Sequence, residues 1–361
     1  MRAMDSDTDM TASIAERVRT AAAAGQSLRI RGGGSKDFYG EALRGDLLDM
    51  RAFAGVLSYE PSELVVTARA GTPLAELQAL LASQGQCLPF EPPHFGQHAT
   101  VGGMVASGLN GPARGSAGAV RDFMLGVTLV NGKGEVLTFG GQVMKNVAGY
   151  DVSRLMAGSL GTLALLLEVS LKVLPVAPAE STLLFEMPEA QALRQLNRWG
   201  GLPLPINASC WQAGRLSVRL RGAKAAVAAA RVTLGGEAAD STADALWTGL
   251  REQTLPFFQL QGGESLWRVS LPDTAAALDL GATLVEWGGA QRWLKRPAGD
   301  APAIRQAAAQ ASGHATLFRS ADKSVPVFTP LNAPLARIHH ALKQQFDPAG
   351  VFNPGRLLAD W

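Results

Sequence analysis

Apolar positions in the amino-terminal half fall into short runs, some at helical and some at strand spacing. Ile14 and Val18 share one helical face, Ser13 and Glu16 read as a capping box that opens the helix, and Gly25 stops it. A strand over residues 28–31 follows, then a glycine loop. Residues 64–68 predict a second strand. Thr72 and Pro73 start a helix that carries Leu74, Leu77, Leu80 and Leu81 and ends at Gly85. Residues 125–131 and 135–139 read as a hairpin about Gly132-Lys133-Gly134. Residues 163–174 alternate apolar side chains with Glu168, Ser170 and Lys172, the pattern of a long half-exposed strand.

A proline-rich stretch, 175–178, marks a boundary. Beyond it the order is strand (182–185), helix (188–199), a strand pair (206–211, 216–220) and helix (224–233). It then repeats loosely: strand (266–271), helix (274–280), strand pair (283–287, 291–294), helix (303–311) and strand (314–318). This β-α-β-β-α order predicts two ferredoxin-like units that form one antiparallel sheet with helices on one face. Residues 335–346 form an amphipathic helix at the end. The fold class is α+β, with a first domain over 1–178, a second over 179–334 and a tail over 335–361 that packs back on the first.

Bulk properties narrow the function. The 361 residues suffice for two or three domains with separate cores, and 47% hydrophobic with 18% charged residues is ordinary globular composition. The net charge of +2 is scattered, with no basic run, so neither nucleic acid nor an anionic membrane is indicated as a partner. Cys87 and Cys210 are too few and too far apart for an iron–sulfur or zinc site, and no metal is expected. The start of the chain, with Asp5, Asp7 and Asp9, lacks an apolar signal region, and the longest apolar stretch, 163–167, is far short of a membrane span. The expected compartment is the cytoplasm, peripheral to a membrane only through partners.

The chemistry lies in the glycines. Arg31-Gly32-Gly33-Gly34-Ser35-Lys36 follows a strand, and Thr100-Val101-Gly102-Gly103 comes later. Glycine leaves backbone N–H groups unshielded, so two such loops can close on a diphosphate. The first loop is not a G-x-G-x-x-G and no G-x-x-x-x-G-K-[ST] occurs, which disfavours the usual NAD and ATP sites. Further clusters follow in order: Ser107-Gly108-Leu109-Asn110-Gly111, Gly115 through Val120-Arg121-Asp122, Lys145-Asn146-Val147-Ala148-Gly149-Tyr150-Asp151, and Gly158-Ser159-Leu160-Gly161-Thr162.

With these residues in this order, the first half resembles the FAD-binding domain of the vanillyl-alcohol oxidase and p-cresol methylhydroxylase (PCMH) type. The resemblance implies that the arginine–glycine loop and Thr100 to Gly103 hold the diphosphate. Gly115, Val120, Arg121, Asp122, Gly158, Gly161, Thr162 and Val169 would then line adenine and flavin. It also implies a two-part FAD domain covered by a cap of the predicted antiparallel kind. The tail, Asp347-Pro348-Ala349-Gly350-Val351-Phe352-Asn353-Pro354-Gly355-Arg356, resembles the ending of flavoprotein dehydrogenases for 2-hydroxy acids, in which it returns to the FAD domain and brings Asn353 and Arg356 near the site. Covalent members use a histidine of the first loop or a cysteine of the second. Ser35, Lys36 and the position of Cys87 therefore indicate noncovalent FAD.

Catalysis is less marked. His98 and Arg356 are weak candidates for a base, and His94 lies close by in sequence; His339 and His340 belong to the terminal helix and His314 opens a strand. The cap lacks the H-x-G-D-G-N segment that supplies a histidine base in catalytic members, and oxidising a hydroxy acid needs a base within hydrogen-bond reach. In length and motif pattern the chain is similar to the smaller flavin subunits of bacterial glycolate-oxidising complexes. That resemblance implies a larger catalytic flavin subunit and an iron–sulfur subunit as partners. A self-sufficient D-lactate or glycolate dehydrogenase, a flavin-free scaffold and, less well supported, an NADPH-dependent reductase are the alternatives. Trp287 and Trp293 are read either as an exposed docking patch or as buried strand residues.

Overall fold

The computed structural model describes residues 2–141, 151–239 and 242–361, with side chains from residue 9 onward. Lys145 to Tyr150 of the third glycine cluster lie outside these residues. Helix α1 (Arg2–Ala24) leads into β1 (Leu28–Arg31), which pairs in parallel with β2 (Asp46–Asp49). There follow β3 (Val56–Glu60), β4 (Val65–Arg69), α2 (Leu74–Ser83), β5 (Gln86–Cys87), α3 (Val101–Ser107), α4 (Arg114–Ala117), β6 (Met124–Val130), β7 (Val136–Gly140), α5 (Val152–Met156), β8 (Leu165–Lys172) and β9 (Leu174–Pro175). A five-stranded antiparallel sheet runs β3-β4-β8-β6-β7.

Two sequence expectations change here. Ser13 does not open a helix, because α1 already runs through it from Arg2. Residues 163–174 are not half-exposed: β8 is the centre of the sheet, flanked by β4 and β6, and its polar Ser170 is buried against Thr67, with 2.8 Å between the hydroxyl oxygens. A central strand covered on both faces needs no clean alternation.

The chain then builds one eight-stranded sheet. Its elements are β10 (Ala179–Glu186), α6 (Glu189–Gly200), β11 (Ile206–Gln212), β12 (Arg215–Gly222), α7 (Lys224–Leu234), β13 (Glu237–Ala238), α8 (Ala243–Arg251), β14 (Ser265–Ser270), β15 (Thr283–Glu286), β16 (Gln291–Arg296), α9 (Ala301–Gln310) and β17 (His314–Arg319), before the terminal α10 (Ala333–Phe346). The strand order β13-β10-β12-β11-β15-β16-β14-β17 is two ferredoxin-like halves joined tail to tail, with β11 pairing β15 through Cys210 and Glu286.

The second half has lost its first helix. Residues 274–280 are irregular because the buried Arg292 guanidinium takes the carbonyls of Ala275 at 2.6 Å and Ala276 at 2.5 Å, acceptors that a helix would use internally. Helix α8, between the halves, was not foreseen from the pattern. It buries Trp247 and Leu250 beneath the sheet while its other residues are mostly polar or small.

The tail enters the core of the first half. Phe352 is fully buried with Val18, Leu28, Leu48 and Leu165, and it bridges Leu28 in parallel. Among the described residues no helix is long and apolar enough to cross a membrane.

Candidate functional site

β1 delivers its glycines beside the start of α3. No N–H from Gly32 to Lys36 has a hydrogen-bond partner among the described residues, and Gly34 sits at φ +74°, which an L side chain rarely adopts. Such a run of free donors in a turn has the geometry of an anion-binding nest. The loop is held from below by Arg31, whose Nε donates to Asp37 at 2.8 Å.

The two glycine segments touch. A Cβ on Gly33 would fall 1.3 Å from the His98 carbonyl oxygen, and one on Gly32 would fall 2.1 Å from Thr100 Oγ1. These glycines thus serve loop-to-loop packing as well as donor exposure. Gly102 is also a packing glycine, with Ala70 Cβ 2.6 Å from its would-be Cβ. The Val101 and Gly102 N–H groups are already taken by the Thr72 and Ala70 carbonyls at 2.9 and 2.7 Å. Gly103 is different: its would-be Cβ meets only Thr100 Oγ1, at 3.1 Å.

A cavity of about 90 Å³ is lined by the nest, Thr100, Gly103, Ser107, Asn353 and Arg356. A second cleft, of about 670 Å³, lies between the cap and the segment carrying Gly108, Val120, Arg121 and Asp122. Ser107 ends α3 and Gly108, in left-handed conformation, turns the chain toward the cleft. The seven residues of α3 span about 10 Å. The nest cavity runs along α3 from Thr100 to Ser107 and the cleft begins at Gly108, just past the end of that helix; adjoining spaces for an anion and a ring fit FAD.

The predicted residues divide accordingly. Arg31 to Lys36, Thr100, Gly103, Ser107, Asn353 and Arg356 come together at the nest, and Gly108, Val120, Arg121 and Asp122 at the cleft. Arg121 is exposed and makes no ion pair among the described residues, whereas Asp122 accepts the Ala119 N–H at 2.8 Å and so braces its own turn. Gly115 faces a different groove, beside Trp287. Val101, Gly102, Thr162 and Val169 lie in the core, and Gly158 and Gly161 shape the turn that meets α3 and Asn353.

The tail is a clasp. Asn353 Oδ1 accepts the Ile30 N–H at 2.8 Å and its amide donates to the Leu160 carbonyl at 2.7 Å, which pins β1 to the turn after α5. Arg356, 5% exposed, gives its guanidinium to the carbonyls of Asp37, Tyr39 and Glu41. A guanidinium committed in this way positions the glycine loop, and it has no free valence for a base. His98 is exposed and meets the loop through its backbone.

Several charged residues that the motifs did not single out join the two halves. Glu91 receives Arg219 at 2.8 Å and Arg221 at 2.9 Å; burial works to raise its pKa, but the two arginines hold it below the ordinary carboxylate value. Glu252, after α8, accepts the N–H groups of His94 and Phe95 at 3.0 and 2.9 Å. Burial pulls the neighbouring Lys36 amine down to about 8, against the attraction of Glu252, while its Nζ donates to the His94 carbonyl at 3.2 Å. Arg268 donates to Tyr39 Oη at 2.9 Å and reaches the cleft, where His314 also lies. Partial burial first, then the Arg268 charge, lower the His314 pKa.

Glu286, at the end of β15 in the cap sheet, is buried, and burial raises its carboxyl to about 7. A signal for these residues was present in the sequence, as charges within apolar strand runs such as Leu216 to Leu220 and Leu284 to Glu286. The tryptophans are partnered: Trp293 is buried and donates to Glu286 at 2.6 Å, while half-buried Trp287 donates to the Gly111 carbonyl at 3.1 Å beneath Arg114. Trp293 is thus no part of an exposed docking patch.

Fold and site together define a flavoprotein with a PCMH-type FAD-binding domain. Residues 9–140 match the FAD binding domain family. Along nearly its whole length the chain is 50% identical to the glycolate oxidase subunit GlcE of Escherichia coli, the match covering 98% of each protein, and it belongs to that family. More distant relatives match over about a third of the chain. A D-lactate dehydrogenase of Anaerostipes hadrus is 34% identical over 36% of this chain and 27% of its own length, and the glycolate oxidase subunit GlcD of Bacillus subtilis is 30% identical over the same shares. Among solved structures, an alkyldihydroxyacetonephosphate synthase superposes with a TM-score of 0.65 at 17% identity, covering 95% of this chain and 75% of that one, which shows a shared fold.

Proposed function

We propose that this chain is the FAD-holding accessory subunit of a glycolate-oxidising assembly. Its partners would be a larger flavin subunit that oxidises glycolate to glyoxylate and an iron–sulfur subunit that carries electrons onward. The observation that carries this reading is the match to a protein named as an oxidase subunit over 98% of both chains, beside the two adjoining cavities of this chain. Bound FAD would supply a two-electron acceptor. The nest from Gly32 to Lys36 binds its diphosphate, α3 runs along the nest and ends at the cleft, Arg121 and Arg268 bring positive charge to the cleft, and Asn353 with Arg356 keeps the loop in place. The working units are 1–178 for FAD, 179–334 for the cap and 335–361 for the clasp. Contact with a membrane comes through the partners.

Attachment is noncovalent. Ser35 and Lys36 follow the glycines, and burial raises the Cys87 thiol pKa, away from the nucleophilic thiolate. Acid precipitation leaves the flavin in the supernatant; a yellow pellet would sink this point. The purified full chain binds FAD but does not bleach it on rapid mixing with glycolate or D-lactate, and activity appears when both partners are added.

A second reading, a self-sufficient 2-hydroxy-acid dehydrogenase, is favoured by His314 and Arg268 in one cleft, a base and a carboxylate partner. Fast bleaching of the isolated chain by either acid selects it over the first. A colourless chain that never takes up FAD overturns both.

A further inference from the structure

Two cations from distant parts of the chain share the segment that follows the nest. Arg356, in the tail, donates to the carbonyls of Asp37, Tyr39 and Glu41. Lys323, in the cap, donates to the two between them, Phe38 at 3.0 Å and Gly40. Tail and cap thus take five successive carbonyls in alternation. The segment is continuous with the nest: the Asp37 and Tyr39 N–H groups close turns on the carbonyls of Gly34 and Lys36 at 3.1 and 3.0 Å. The peptide plane that carries the Gly34 carbonyl also carries the Ser35 N–H, pointing the other way, so the turn that fixes the one aims the other. Gly40, at φ +92°, lets the chain pass close to the tail, since a Cβ there would lie 3.0 Å from the Arg356 carbonyl oxygen.

Lys323 is presented by a braced turn of the cap. Ser320 Oγ lies 2.6 Å from Ser265 Oγ of β14 and accepts the Asp322 N–H at 3.1 Å, and Asp322 Oδ1 accepts the Ser324 N–H at 2.8 Å. Past the turn, the Val327 carbonyl accepts the Leu317 N–H of β17 at 2.8 Å. The Val327 N–H crosses to the first domain and donates to Glu41 Oε1 at 2.6 Å, while the Tyr39 ring packs on Phe318 and Phe328 with centroids 5.2 and 5.7 Å away. Burial first, then the Arg356 charge, lower the Lys323 pKa, and Glu41 opposes them. Two cations that repel each other across one segment are both favoured by an anion beside it, which is the differential interaction that coupling requires. Among the described residues, none that lines the nest cavity belongs to the cap, whereas Arg356 does line it.

We propose that Lys323 is a positioning residue for FAD: seated on the Phe38 and Gly40 carbonyls, it couples docking of the cap to occupation of the nest by a diphosphate. The inference rests on the reading of the nest as the diphosphate site, and it does not depend on whether this chain oxidises an acid by itself. Coupling is reciprocal. A ligand in the nest that never touches the cap tightens the cap's hold on residues 37–41, and a cap that releases them loosens the ligand.

Hydrogen exchange of residues 320–329 in the full-length apoprotein tests it, because the Val327 N–H is freed only when its bond to Glu41 opens. The probe is inorganic pyrophosphate at concentrations that displace FAD, since it carries the diphosphate without a ring that could reach the cap. In the wild type pyrophosphate slows exchange of this segment roughly tenfold, within the usual range for coupled sites. Lys323→Met loses that slowing and binds FAD roughly tenfold more weakly by fluorescence titration. A lysine that served stability alone would leave the pyrophosphate-dependent slowing in place. The wild-type arm needs no variant and decides the matter even where Lys323→Met fails to fold. Exchange at 320–329 that pyrophosphate leaves unchanged in the wild type, or slowing that persists in Lys323→Met, overturns the proposal and leaves the nest reading intact. A chain that takes up no FAD, or holds FAD that pyrophosphate does not displace, overturns the nest reading and the coupling with it.

Discussion

Replacing Asp347 by alanine tests the idea that the tail is a buried clasp and not a loose end. Its Oδ1 accepts the Val351 N–H at 2.9 Å, and its Oδ2 accepts the Phe352 N–H at 2.8 Å and Lys343 Nζ at 2.7 Å. Lys343 also donates to the carbonyls of Thr162 at 2.7 Å and Phe352 at 3.2 Å. The side chains of the pair are 6% and 0% exposed. Removing the carboxylate leaves a buried ammonium facing only carbonyls and strands two backbone donors. Breaking such a pair from one side costs roughly 3–5 kcal/mol, a large part of the ~5–15 kcal/mol that holds a domain folded. Lys343→Met leaves the carboxylate with both N–H donors and costs less, about 2 kcal/mol. The double variant has no orphaned charge, so its loss falls short of the sum by roughly 2 kcal/mol. Urea unfolding of the four full-length proteins measures the cycle. A loss below about 1 kcal/mol for Asp347→Ala, or strict additivity, refutes the reasoning. Because Phe352 leads directly to Asn353, Asp347→Ala also loosens β1 and releases FAD at lower denaturant than global unfolding.

Three further outcomes follow from the same geometry. Gly33→Val forces the loops apart, because its Cβ would lie 1.3 Å from the His98 oxygen, and abolishes FAD retention; Gly103→Ala, with only a 3.1 Å contact, keeps the apoprotein fold and weakens FAD through the bound ligand alone, as flavin fluorescence titration will show. Arg121→Gln removes an exposed cleft cation and lowers FAD affinity about tenfold, a change of about 1.4 kcal/mol, with no shift in unfolding midpoint; an altered midpoint would point to a structural role. Glu91 has its pKa lowered on folding, so its contribution is present above the ordinary value of 4.5 and is lost as pH falls through the lowered one. Glu91→Gln should therefore flatten the acid limb of the stability profile and leave the alkaline limb unchanged.

Local signals carried much of the fold. The leucines of α2, the hairpin of β6 and β7, and the two strand pairs of the cap were legible because each is a short-range pattern with its own turn or cap. Helix α3 is absent from that pattern; it starts at Thr100, whose hydroxyl accepts the Gly103 N–H at 3.2 Å. Residues 274–280 were misread because the deciding contact is made by Arg292, outside the segment, and a periodic pattern cannot register a distant side chain that takes the backbone carbonyls. The helix content of α8 was hidden for a related reason, since its two anchors, Trp247 and Leu250, are useful only once the cap sheet exists to cover them.

The candidate site divides along the same line, and the division explains its chemistry. Glycines were visible because φ and Cβ constraints act on single residues: Gly34 is in the left-handed region and Gly33 has no room for a methyl group. The buried charges were not, because Glu91, Glu252, Arg268 and Glu286 acquire their meaning only from partners brought across the seam. Glu91 with Arg219 and Arg221, Glu252 with the backbone of His94 and Phe95, and Arg268 with Tyr39 each join the FAD domain to the cap. Three polar bridges across one seam hold the cap in register over the cleft. Glu286 is the exception, a buried carboxyl with no cation paired to it among the described residues. In the bridges the facing cations or backbone donors hold the carboxylates ionised, whereas burial without such a cation lets Glu286 keep its proton to a higher pH.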